Sequence, residues 1–165
     1  MSNVDVCASI KELIVTRHVS LVSLGPNPAT GQTYGDYIAQ KTQVSGDIKF
    51  FECLLVAILA TTALIDALTA LETSDLNSVR IDYCIECAGQ TLATANAEAL
   101  VLIETASLEL CAARKVDFKI NSRRHRVELS ICETLAAARI LVALVPDAAI
   151  TASIRSLETA MTTLR

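Results

Sequence analysis

The residues best suited to chemistry form a basic segment in the second half of the chain. Six of the fourteen Lys and Arg residues fall within thirteen positions of the sequence. Together with one histidine, these residues are Arg114, Lys115, Lys119, Arg123, Arg124, His125 and Arg126. Guanidinium groups and the N–H groups at a helix start bind phosphate and carboxylate groups, so the segment is a candidate anion-binding site.

The basic segment is also consistent with roles that involve no ligand. Its side chains can form a solvated loop, or they can pair with glutamates of a neighbouring helix or subunit. Binding of RNA is a further form of the anion hypothesis, although Phe118 is the only nearby ring in the sequence on which a base can stack. The overall pI of about 5.2 excludes a protein that is basic throughout.

A second candidate site lies in a segment rich in glycine and tyrosine, at about residues 23–46. The segment holds four of the five glycines and two of the three tyrosines. Glycine lets a backbone approach a ligand and tyrosine offers an apolar ring with a polar end, which makes Tyr34, Asp36 and Tyr37 candidate ligand-binding residues. The spacing fits neither a P-loop nor a dinucleotide-binding motif, so a simple connection between helices is the alternative.

A Cys-x-x-Cys pair, Cys84 and Cys87, is the third candidate site. Residues three positions apart share a helix face, so two thiolates there can bind one soft metal ion or take part in redox chemistry. A structural zinc site needs four ligands, and no second pair or adjacent histidine in the sequence supplies them. The alternative is that Cys84 packs in the core beside Ile81 and Ala88.

The two histidines exclude one kind of metal chemistry. A di-iron bundle needs Glu-x-x-His on two helices, but Val15 lies three residues before His18 and Ser122 lies three before His125. His18 lies on the apolar face of its predicted helix, so we expect it in the core or in an interface. The sequence contains no cofactor-binding motif, and we expect no cofactor.

The elements that position these residues are helices. Helical periodicity dominates the chain and strand-like alternation is nearly absent, which predicts an all-α, up-down helical bundle of about five helices in one domain, residues 1–165. One long irregular loop, at about 23–46, is predicted between the first two helices. Asp47 is the predicted N-cap of the second helix, and Asp147 is that of the last.

Two of the predicted helices are unusually apolar. The second, from Asp47 to Glu72, is apolar nearly all round, which is typical of a central helix or of a helix in an oligomer interface. The third repeats apolar residues in steps of four and three from Ile81 to Ala106, and the alanines among them predict closely packed helices. Glutamates outside this heptad pattern, among them Glu98, are expected to face solvent.

The composition narrows the class of protein. Of the 165 residues, 52% are hydrophobic and 19% are charged, which excludes intrinsic disorder. The most apolar run, Cys53–Ile65, is shorter than the roughly 20 residues that a spanning helix needs, so no membrane segment is expected. Six cysteines within helical patterns and the lack of a recognisable secretory signal predict a reducing compartment, the cytoplasm.

These features together predict a non-enzymatic helical protein that acts by self-assembly or by binding a partner. The reason is that the chain has more apolar residues than one small bundle buries. We expect a homo-oligomer or a complex with another helical protein. Two alternatives stay open, namely an anion- or nucleic-acid-binding module that uses residues 114–126 and a metal-binding or redox protein that uses Cys84 and Cys87.

Overall fold

Five α-helices make up the described part of the chain. The computed structural model describes residues 3–71, 78–112 and 120–164, with side chains for 5–71, 79–104 and 123–164, and it holds no strand within these ranges. The helices are α1 (Asn3–Leu24), α2 (Tyr34–Leu71), α3 (Ser78–Ala112), α4 (Ile120–Leu144) and α5 (Ala148–Leu164). The predicted all-α fold of about five helices is confirmed.

The helices pack as an up-down bundle around α2. Helix α2 contacts each of the other four helices, and it packs most extensively against α5. Helices α3 and α4 are antiparallel, because Thr91 contacts Thr134 while the later residue Glu98 contacts the earlier residue Arg123. Helices α4 and α5 are antiparallel in the same way.

Aliphatic side chains fill most of the core. Phe50 and Phe51 on α2 are the aromatic residues of the main described cluster, whose other members are Ala, Cys, Ile, Leu and Val. The heptad pattern predicted for α3 marks a buried face, since the following positions are buried: Ile81, Ala88, Ala95, Ala99 and Leu102. Small alanine side chains on that face let neighbouring helices approach closely.

The irregular segment between α1 and α2 is shorter than predicted. It covers residues 25–33 rather than 23–46, because α2 begins at Tyr34. The hydroxyl of Thr33 accepts a hydrogen bond from the backbone N–H of Asp36 at 3.2 Å, so Thr33 is the N-cap of α2. The predicted loop therefore divides into a short connection and the first turns of a long helix.

Asp47, the predicted N-cap, lies instead in the interior of α2. Its side chain is buried, and its Oδ2 atom is 4.0 Å from Nε of Arg17 on α1. The prediction was wrong because this carboxylate faces a neighbouring helix rather than the backbone at a helix start. Asp147 does cap α5 as predicted, since the backbone N–H of Ile150 donates to its Oδ1 atom at 2.9 Å.

Helix α2 is the one described helix that is long and apolar enough to cross a membrane, judged by length and composition alone. The central helix of a soluble bundle has the same properties. Part of its apolar surface lies inside the bundle, where Leu54, Ile58, Leu64 and Leu68 are fully buried, whereas Leu59 is 52% exposed. Helix α2 is therefore the central helix of this fold.

Candidate functional site

The basic side chains at the start of α4 separate into two groups. Arg123 and Arg126 both bind Glu98 on α3, whereas Arg124 contacts α2 on the other side. His125 is exposed. Outside the described residues lie Arg114, Lys115 and Lys119. Within the described part of the chain, the predicted basic segment is therefore two separate sets of contacts and not one patch.

Glu98 is a buried carboxylate, which corrects the prediction that it faces solvent. Its side chain is 6% exposed, and its Oε2 accepts a hydrogen bond from Nη1 of Arg123 at 2.8 Å. Its Oε1 accepts a second bond from Nη1 of Arg126 at 3.4 Å. A buried carboxylate is costly unless cations compensate it, so Arg123 and Arg126 are explained by ion pairing with a neighbouring helix.

Arg124 forms one wall of a pocket between α2 and α4. Its Nη2 donates to the carbonyl oxygen of Gly46 at 2.9 Å, and its guanidinium carbon lies 5.7 Å from the centre of the Phe50 ring. The pocket has a volume of about 390 Å³. Its lining, called here the cationic pocket, consists of Lys41, Thr42, Ser45, Gly46, Lys49 and Arg124.

The sequence predictions missed the α2 side of the cationic pocket. The predicted irregular loop places Lys41 and Ser45 outside any long helix and separates them from Lys49. In the structure all three lie in α2, and residues four positions apart share one face of a helix. That spacing is the signal in the sequence that identifies them once the segment is read as helical.

The structure places Tyr34, Asp36 and Tyr37 in the first turn of α2. The Tyr37 side chain is buried, and its hydroxyl donates to the carbonyl oxygen of Gly25 at 2.6 Å. Gly25 itself has a φ of 68°, a conformation that glycine adopts without strain. Tyr34 and Asp36 are exposed, and the ring centres of the two tyrosines are 6.3 Å apart. Tyr37 therefore anchors the α1–α2 connection to the start of α2.

Comparisons with known proteins find no match. The chain matches no protein-family model, no curated protein and no solved structure. Its function is therefore inferred from its own residues.

Cys84 and Cys87 are both buried on the side of α3 that meets α4. Burial raises the pKa of the Cys84 thiol to about 11, and the neighbouring Cys87 contributes in the same direction. A protonated thiol is a poor nucleophile and a poor metal ligand. Among the described residues, no group of three or more His, Cys, Asp or Glu side chains is placed to hold a metal ion. The geometry favours a packing role for this pair.

His18 does not lie in the core, so the prediction of a core position was wrong. Its side chain is exposed, and its Nε2 lies 3.9 Å from Oε1 of Glu52 on α2. Helix α1 contributes buried residues near its start, such as Ile10, whereas Val19 and Val22 near its end are exposed. Val15, Val19 and Val22 share a different face of α1 from Ile10, and the bundle leaves that face exposed.

An exposed apolar surface lies where the start of α3 meets the end of α4. We call it the α3–α4 face, and its members Val79, Tyr83, Ile140 and Leu144 are 79%, 59%, 58% and 49% exposed. A depression of about 280 Å³ between the two helices is lined by Arg80, Tyr83, Cys84, Ala137, Ile140 and Leu141. Contiguous apolar patches of this kind mark interaction surfaces in soluble proteins.

Proposed function

We propose that the protein is a non-enzymatic helical protein that self-associates through the α3–α4 face. The observation that carries the proposal is the depression between α3 and α4, where Tyr83 and Ile140 are exposed and the exposed Val79 and Leu144 lie one helical turn away from them. Burying a Val, Leu or Ile side chain contributes roughly 1.5–3 kcal/mol relative to leaving it exposed. Covering this face with another apolar surface is therefore strongly favourable.

A second copy of the chain is the partner that the residues favour. Val79 and Tyr83 share one face of α3, Ile140 and Leu144 share one face of α4, and Tyr83 and Ile140 line the depression between the two helices. In a twofold dimer the same patch meets itself, so a ridge of one copy can fill the depression of the other.

The charges at the α3–α4 face agree with such a dimer. Arg80 and Asp82 are exposed on the same turn of α3 and carry opposite charges. Glu86 and Glu133 also lie close enough to act on Tyr83, so a twofold pairing has to bring Arg80 of one copy near carboxylates of the other. The depression itself is lined mainly by apolar side chains, as is typical of the buried centre of a homodimer interface.

Light scattering coupled to size-exclusion chromatography tests the proposal at micromolar concentration. We expect the wild-type protein to elute as a dimer and the double variant Val79→Glu/Ile140→Glu to elute as a monomer, because two buried charges in an apolar interface are strongly unfavourable. The matched control is Val19→Glu/Val22→Glu on α1. Val22 is 80% exposed, close to the 79% of Val79, so the control changes residues of equal exposure on another helix.

The possible results distinguish the α3–α4 face from other surfaces of the protein. A monomeric wild-type protein contradicts self-association altogether. A control variant that dissociates the dimer, while the Val79→Glu/Ile140→Glu variant does not, places the interface on α1 and overturns the proposed surface. Circular dichroism of both variants verifies that each remains helical.

We also propose a cytoplasmic location, on the basis of the cysteines. Cys7, Cys53, Cys84, Cys87 and Cys132 are free thiols, and all of them are at least partly buried within helices. Free, buried cysteines are compatible with a reducing compartment, where disulfides do not form. Cell fractionation that recovers the protein with membranes or in a secreted fraction contradicts this proposal.

A further inference from the structure

We propose that the cationic pocket binds the phosphate group of a small ligand. The pocket lies near the start of α4, whereas the α3–α4 face lies near its end. Arg124 and Ile140 are separated by about 24 Å along the helix axis at 1.5 Å per residue. The two sites are therefore independent, and the phosphate site does not depend on self-association.

The lining residues supply the groups that recognise an oxyanion. Lys41, Lys49 and Arg124 carry three positive charges, and Thr42 and Ser45 add hydroxyl groups. No acidic side chain is among the residues that line the pocket. Hydrogen bonds from a charged donor to a phosphate oxygen are about twice as strong as neutral ones, so this set of donors favours phosphate over a neutral ligand.

Arg124 is held in place before any ligand arrives. The hydrogen bond from its Nη2 to the carbonyl oxygen of Gly46 and the cation–π contact of its guanidinium with the Phe50 ring hold the side chain against α2. Its buried Nε has no hydrogen-bond partner among the described residues, so part of the cost of burying this charged group is left uncompensated. A side chain that is already ordered loses little entropy on binding, and this improves affinity.

The position of Arg124 in its helix also points to an anion. It lies in the second turn of α4, which begins at Ile120, and the positive end of the helix dipole disfavours a cation near that end. Arg123, its neighbour, is compensated by the carboxylate of Glu98. A bound phosphate compensates the charge of Arg124 as the carboxylate of Glu98 compensates that of Arg123.

The dimensions of the pocket favour a small phosphorylated molecule over RNA. A volume of about 390 Å³ lies within the range typical of small-ligand sites. Single-stranded RNA also needs exposed rings on which its bases can stack, and no aromatic residue lines the pocket. The nearby ring of Phe50 is buried beneath Arg124.

Isothermal titration calorimetry at an ionic strength of about 0.15 M, where distant charges are screened, tests this proposal, with inorganic pyrophosphate and adenosine monophosphate as the two probes. The double variant Lys41→Gln/Lys49→Gln removes two exposed charges of the pocket, and we expect it to weaken binding of the favoured probe about tenfold or more. The control Lys11→Gln/Arg155→Gln removes two exposed charges from α1 and α5 and is expected to leave affinity within about twofold, because neither residue lines the pocket.

Comparison of the two probes identifies the source of the phosphate. Tighter binding of adenosine monophosphate, despite its lower charge, indicates a nucleotide, whereas tighter binding of pyrophosphate indicates that the pocket recognises the phosphate groups alone. Either result, with the expected loss in Lys41→Gln/Lys49→Gln, supports the site. The Val79→Glu/Ile140→Glu variant, which is designed to prevent self-association, is expected to bind the favoured probe with wild-type affinity.

Three results overturn the proposal. The first is a wild-type protein that binds neither probe. The second is an equal loss of affinity in the control Lys11→Gln/Arg155→Gln, because binding then depends on overall charge and not on the pocket. The third is a short single-stranded RNA that binds and is displaced by neither probe, because the basic residues then serve a nucleic-acid surface instead.

Discussion

The buried carboxylate of Glu98 allows a sharp prediction, because its two arginine partners differ in exposure. The Arg123 side chain is 31% exposed and that of Arg126 is 70% exposed, while both donate to the same 6%-exposed carboxylate. We therefore expect Arg123→Met to destabilise the bundle much more than Arg126→Met. The two substitutions remove the same charge and leave a side chain of similar length.

The magnitudes follow from the geometry of the two contacts. The Arg123 bond is 2.8 Å long and largely shielded from water, and a hydrogen bond between charged groups of this kind is worth about 1.5–3 kcal/mol. Its loss also leaves the buried carboxylate less compensated, so we expect Arg123→Met to cost about 2–3 kcal/mol. The Arg126 bond is 3.4 Å long and exposed, and exposed ion pairs contribute about 0.2–1 kcal/mol.

Urea denaturation followed by circular dichroism measures the free energy of unfolding of each variant. We also expect the double variant Glu98→Met/Arg123→Met to be more stable than the sum of the single effects predicts, since it leaves no buried charge without its partner. Equal losses for Arg123→Met and Arg126→Met refute the reasoning, because burial then does not govern the strength of the pair. If the effects of the two single substitutions simply add in the double variant, Glu98 and Arg123 do not interact directly.

Two further predictions concern stability. The buried thiol of Cys53 donates to the carbonyl oxygen of Ala160, and burial raises its pKa from 9.0 to about 12, partly opposed by the charge of Arg124. As the pH rises, the Cys53 thiol ionises in the unfolded state before it ionises in the folded state. The contribution of Cys53 to the free energy of unfolding is therefore complete below about pH 9 and declines by about 1.4 kcal/mol per pH unit up to about pH 12. Urea titrations should therefore show the stability difference between wild type and Cys53→Ala shrinking over this interval, and a difference that does not change with pH contradicts the assignment. The N-cap variant Asp147→Ala should lower the free energy of unfolding by about 1 kcal/mol at neutral pH, because it removes the cap of α5. The variant Asp147→Asn should keep most of the stabilisation by the cap, because asparagine also caps helices. Equal losses in the two variants contradict a capping role.

The parts of the fold that follow from local patterns could be predicted from the sequence. The number of helices and the heptad face of α3 depend on the spacing of apolar residues along one segment. The cap of α5 depends on Asp147 and the backbone N–H of Ile150, which are three residues apart. Such features need no knowledge of neighbouring helices.

The start of α2 was missed although the sequence contains its signal. Thr33 and Asp36 are spaced as in a capping box, where a side-chain oxygen accepts from the backbone N–H three residues later. Glycines at positions 35 and 46 lower the helix propensity of the intervening segment and favour the prediction of a loop. Contacts of the segment with the rest of the chain, such as that of Arg124 with Gly46, support the helix and are visible only in the fold.

The functional surfaces depend still more on contacts between distant residues. Glu98 and Arg123 meet across α3 and α4, so the pattern of one helix alone placed the carboxylate in solvent. The cationic pocket joins Lys41 and Lys49 to Arg124, which lies more than seventy positions later in the chain. No local spacing rule relates such residues.

The partnership of α2 with α5 has a consequence for synthesis of the protein. The most apolar helix of the described chain packs most extensively against a helix that follows it after 76 intervening residues, from position 72 to position 147. At a ribosomal rate of about 5–20 residues per second, α2 is complete for on the order of 4–15 s before translation of α5 begins. During that interval the surface of α2 that packs against α5 in the folded protein has no native cover.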